Sequence, residues 1–114
     1  MPRTSKLDTA LLAAVRREVA RLRTVDLRNL PANRDAAAEI RTAVNDAHAG
    51  IVLADFAALL GRALSGAELK ACQRAAIRLE TSGQLIRLRL GYEGQRLTHL
   101  QLVEPAGNEA EGAK

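Results

Sequence analysis

Ser65 to Leu90 reads SGAELKACQRAAIRLETSGQLIRLRL, and a change of period inside this stretch decides the fold. Ser65 with Glu68 three residues on has the form of a capping box, in which a hydroxyl and a carboxylate satisfy orphan N–H groups at a helix start. Leu69, Cys72, Ala76 and Leu79 then recur at helical spacing as an inward stripe. Lys70, Ala71, Gln73, Arg74 and Arg78 are left on the opposite face. Ser82-Gly83 ends the helix, glycine being the usual left-handed residue there. Beyond it the period falls to two. Ile86, Leu88 and Leu90 point one way and Arg87 and Arg89 the other, as in a half-buried strand with its apolar side inward. A turn over Gly91 to Gln95 leads to a second strand from Arg96 to Val103, which contains Leu97, Leu100 and Leu102. The two strands form a β-hairpin.

Upstream, Asn33 offers an N-cap for a helix from Arg34 to about Ala49, with Ala37, Ile40, Val44 and Ala47 on its apolar side and Gly50 as terminator. Ile51 to Leu53 predicts a short strand, and Asp55 to Leu60 a short helix closed by Gly61. Nearer the start, Ser5 and Asp8 repeat the capping-box pattern. Leu7, Leu11, Val15, Val19 and Leu22 follow at helical spacing to about Arg23, with Arg16, Arg17, Arg21 and Arg23 on the remaining surface. Val25 to Pro31 is a connector, since Pro31 disfavours helix at Leu30. The polar, small-residue stretch from Glu104 onward predicts a disordered tail. The expected organisation is a dimerisation helix with connector over 1–31, one domain over 32–103 and a tail over 104–114.

The whole chain has 114 residues, 47% of them hydrophobic, which suits one compact domain. Aromatic residues amount to 2%, Phe56 and Tyr92. Single-strand nucleic-acid modules need several rings to stack on bases, so this composition argues against them. The net charge is +4, and arginine outnumbers lysine 14 to 3. Residues 1–30 and 62–96 each carry net +4, whereas 31–61 and 97–114 each carry −2. The basic charge is therefore concentrated in the first helix and in the helix-plus-hairpin stretch, as a surface that neutralises phosphate requires.

Other functional classes find little support. The sequence has no 18-residue apolar run and no cleavable leader pattern, so a cytoplasmic protein with no membrane span is expected. Cys72, the single cysteine, lies in an apolar stripe and reads as a small buried hydrophobe. His48 and His99 lack companions at metal-ligand spacing, so no metal is expected. There is no phosphate-cradling glycine loop, nucleophile elbow or catalytic carboxylate pair, which predicts neither cofactor nor enzyme activity.

Helix, short strand, short helix, tight turn, capped helix and β-hairpin is the element order of a winged helix-turn-helix, and the chain resembles that superfamily from about Arg34 to Val103. The stretch Leu79-Glu-Thr-Ser-Gly83 followed by Leu85-Ile-Arg87 is similar to the entry to the wing in bacterial regulators of the MarR group. Gln84 is a departure that lengthens the step from Gly83 to Leu85 by one residue. The implied fold is mainly α with a C-terminal β-hairpin (α+β), carrying an extra N-terminal helix.

The implied partner is double-stranded DNA, bound by a bacterial transcriptional regulator, a homodimeric repressor that occludes its operator. In such a protein the helix over 65–81 enters the major groove. Gln73 suits adenine, Arg74 guanine and Ala71 a thymine methyl, with Lys70 and Arg78 beside them. Ser65 at the helix start would hold a phosphate. Arg87, Arg89 and Arg96 on the hairpin over 85–103, with Tyr92 at its tip, would track the backbone or the minor groove. Leu11, Val15, Val19 and Leu22 are the expected dimer interface. A competing expectation is a winged-helix protein-interaction module, whose first helix binds a partner and whose Arg87 and Arg89 meet acidic side chains.

Overall fold

The structure is a computed structural model that describes residues 5–92 and 94–103. The expected tail over 104–114 lies outside them. The described chain is α+β, with four helices and a three-stranded antiparallel sheet. The helices are α1 (Lys6–Arg23), α2 (Arg34–His48), α3 (Phe56–Leu60) and α4 (Gly66–Thr81), and the strands are β1 (Ile51–Leu53), β2 (Leu85–Tyr92) and β3 (Gln95–Leu102). In the sheet, β3 lies between β1 and β2.

Each helix starts where a short polar side chain takes up an orphan N–H. Ser5, Asn33, Asp55 and Ser65 accept from the third residue beyond them. The full reciprocal capping box forms at Ser65 and Glu68. At Ser5 only the hydroxyl half forms, because the Asp8 carboxylate accepts from the Ser5 hydroxyl and turns to Arg78 on α4. Glycine ends α3, with Gly61 at φ +72°. The hairpin is tighter than the expected five-residue turn, since pairing extends to Tyr92 opposite Gln95 and the chain reverses through Gly94 at φ +85°.

The largest correction concerns α1. It packs on α2, α3 and α4 and reaches β1 and β3, so it is the central helix of the fold. Leu11 and Val15 are wholly buried, and Val19 and Leu22 are 3% and 8% exposed, all within one hydrophobic cluster of the single chain. The expected dimer seam is thus inside the protein and leaves those side chains nothing to offer a second copy. The cluster is completed by Leu12, Val44, Ala47, Val52, Phe56, Cys72, Ala75, Ala76, Leu79, Leu85 and Leu100. Arg23 fastens the end of α1 to the end of α2, its guanidinium donating to the Ala47 and His48 carbonyls. A cation there also complements the negative end of the helix dipole.

A second correction concerns the sheet. The strand meets the core through Leu85, one residue ahead of the expected stripe. Leu85, Arg87, Arg89 and Gly91 stand opposite Leu102, Leu100, Thr98 and Arg96, and Val52 of β1 stands opposite Leu100. Directly paired residues share a face, so this is the face that carries the buried Leu85, Leu100 and Val52 against the helices. Alternation then puts Arg87, Arg89 and Arg96 on the helix side. Ile86, Leu88 and Leu90 point away from the core, on the outer face.

Candidate nucleic-acid interface

α4 is anchored on its inner side by Cys72, Ala75, Ala76 and Leu79, all buried. Ala75 takes the place that the expected stripe gave to Leu69, which is exposed. A helix buried on 72, 75, 76 and 79 must turn 70, 73, 74 and 77 to solvent. Lys70, Gln73 and Arg74 are indeed exposed, and Ala71 lies at the margin, half-buried. Between them is Ile77, 44% exposed, which the sequence reading had not singled out. Its signal was available: it falls four residues after Gln73, outside the inner stripe. Neither Lys70 nor Arg74 is ion-paired among the described residues.

Three expected contacts are otherwise engaged. Ser65 accepts from the Glu68 N–H at 3.1 Å, while the Glu68 carboxylate accepts from the Ser65 N–H at 2.9 Å and from Arg62 at 2.7 Å. These bonds, the Ser65 N–H foremost, hold Glu68 ionised and push its pKa down to about 2. The helix start already carries an anion, so Ser65 acts as a cap and is not a free phosphate cradle. Arg78 grips Asp8 of α1 with two nitrogens at 2.7–3.1 Å. It joins the two helices. Arg87 bonds Glu80 of α4 at 2.7 Å, which ties β2 to the helix and lowers the Glu80 pKa. That pair is solvent-exposed, and such pairs contribute little to stability, so a competing phosphate can displace it.

Arg89 and Arg96 remain on the helix side of the hairpin, exposed and without an ion pair among the described residues. Arg89 makes only a long 3.5 Å contact to the Thr98 hydroxyl. Tyr92 pairs with Gln95 through its backbone, and its side chain lies outside the described residues. The assembled surface therefore has Lys70, Gln73, Arg74 and Ile77 on α4 with Arg89 and Arg96 on the same side of the sheet.

The chain matches no family model, no curated protein and no solved structure. Among the described residues no helix is long and apolar enough to cross a membrane, and no group of three His, Cys, Asp or Glu is placed to hold a metal ion. Cys72 is buried, and burial raises its thiol pKa, away from the reactive thiolate.

Proposed function

We propose that this protein is a winged helix-turn-helix DNA-binding protein, a homodimeric transcriptional regulator that reads duplex DNA with α4 in the major groove and the β2–β3 hairpin along the backbone. The observation that carries this reading is the exposed stripe of Lys70, Gln73 and Arg74 on the same side of the sheet as Arg89 and Arg96. Gln73 and Arg74 have the geometry for bidentate pairs with adenine and guanine, each worth about 1–3 kcal/mol of discrimination. Ile77 supplies an apolar surface for thymine methyl groups. Lys70, Arg89 and Arg96 supply phosphate contacts, and Arg87 joins them once Glu80 is displaced.

Selection of bound duplexes from a random pool, followed by gel shifts over a salt series, tests the reading. The expected result is a salt-sensitive preference for a defined site with half-sites about 34 Å apart. Arg74→Ala is expected to relax base preference at one position, by roughly ten-fold or more, whereas Arg89→Ala weakens all sequences alike and lowers the salt slope by about one. No preference for any site would overturn the proposal. The exposed Leu69 and Ile77 favour one competing reading, an α4 that docks on another protein. On that reading Ile77→Asp abolishes partner capture and no DNA preference appears.

A further inference from the structure

Among the described residues, no element packs its hydrophobic side chains on the outer face of the sheet. Ile51 and Leu53 on β1, Leu97 on β3 and Ile86, Leu88 and Leu90 on β2 share that face by register, and none of them belongs to the core cluster or packs on it. Leu53, Ile86 and Leu97 are 45%, 41% and 42% exposed. His99 and Gln101 stand among them on β3, His99 paired across the strands with Leu53 and Leu88 and 5% exposed, Gln101 paired with Ile51 and Ile86 and half-buried. Exposed aliphatic side chains grouped on one face in this way commonly mark an interaction site.

We propose that this face is where two copies of the chain pair, sheet against sheet about a two-fold axis. Three observations select a second copy. First, the described residues of the face include no carboxylate, lysine or arginine, although the chain carries net +4. Two copies meet there without like-charge repulsion, while DNA, an acidic protein or an anionic lipid surface finds nothing to bind. Second, residues 1–4, 93 and 104–114 contain one large aliphatic side chain, Met1, so these residues offer no apolar segment to lay over the face. Third, with Leu53, Ile86 and Leu97 exposed by only 41–45% in each copy, the contact is small by the standard of stable dimers and fits a weak, reversible association. Face pairing is also favoured over pairing at the free edge of β2, where Arg87 and Arg89 would meet their own copies.

The inference replaces the buried α1 seam as the route to a dimer and holds whether or not α4 binds DNA. Sedimentation equilibrium of the full chain over a concentration series tests it. The expected result is a monomer–dimer equilibrium, with Leu97→Glu and Ile86→Lys each weakening dimerisation at least 30-fold while circular dichroism stays that of the wild type, and Arg74→Ala leaving it unchanged. Methyl NMR of unmutated protein gives an arm that needs no variant: Leu53, Ile86 and Leu97 methyls shift with concentration and those of Ile77 on α4 do not. A wild type that stays monomeric, a folded face variant that still dimerises, or concentration-dependent shifts confined to α4 would each overturn the proposal. Dimerisation lost in Leu97→Glu with no DNA preference in the wild type would sink the DNA reading and leave this one standing, and DNA selectivity in a wild-type monomer would do the reverse.

Discussion

At the scale of single residues, the Asp8–Arg78 pair separates a structural arginine from the cations available to a ligand. Asp8 is 4% exposed, and its carboxylate accepts from the Arg78 guanidinium and the Ser5 hydroxyl. Arg78 keeps nearly half of its side chain in water. Removing either partner is therefore unequal. Asp8→Asn leaves Arg78 able to hydrate and is expected to cost about 1–2 kcal/mol, whereas Arg78→Ala strands a buried carboxylate and costs about 3 kcal/mol, both measured by urea unfolding at neutral pH. The pH dependence has a definite sign. The Arg78 hydrogen bonds hold the Asp8 pKa below its ordinary 3.8 against the opposing effect of burial, so the unfolded chain takes up the proton more readily than the folded one. The stabilisation is full above that ordinary value and is lost as pH falls through the depressed one. Urea midpoints of wild type and Asp8→Asn should accordingly converge as the solution is acidified below about pH 4.

At the scale of elements, caps and periodicity made every helix and strand legible to within a residue or two. Ser5, Asn33 and Ser65 are local signals, and the hydrogen bonds they predict depend only on neighbours three residues away, as does the cap at Asp55 that the structure adds. The facing of β2 was not legible in the same way. A stretch of period two has two sides, and Ile86-Arg-Leu-Arg-Leu90 looks like a strand with its apolar side inward. The direction was set outside that pattern, by Leu85 joining the core cluster that also holds Leu79 and Leu100, and one residue of register exchanges the faces. Alanine substitution separates the two readings. Leu85→Ala is expected to cost about 2–5 kcal/mol by emptying a filled core position, and Ile86→Ala less than about 1 kcal/mol in dilute protein, both by chemical denaturation. The same register puts Arg87, Arg89 and Arg96 on the α4 side of the sheet, opposite to the facing that the alternation alone suggested.

At the scale of the whole molecule, the decisive fact is that α1 supplies Leu11, Leu12, Val15, Val19 and Leu22 to the core shared by α3, α4 and the sheet. An amphipathic helix shows in sequence that it must bury one stripe, but the stripe does not say whether the partner is the same chain or another. The two alternatives give opposite outcomes when α1 is removed. As a separable dimerisation element it would leave residues 32–103 folded and monomeric. As the central helix it takes with it five buried side chains, of which the three leucines alone, at about 2–5 kcal/mol each, match the roughly 5–15 kcal/mol by which such a domain is stable. Its loss also exposes the inner faces of α2 and α4 and leaves Arg78 without Asp8. A chain beginning at residue 25 is therefore expected to be unfolded, with collapsed helical dichroism and no dispersed amide NMR spectrum, and to recover both when a peptide of residues 1–24 is added. A folded, monomeric 25–114 fragment would return α1 to the periphery and reopen the seam of Leu11, Val15, Val19 and Leu22 as a contact between copies.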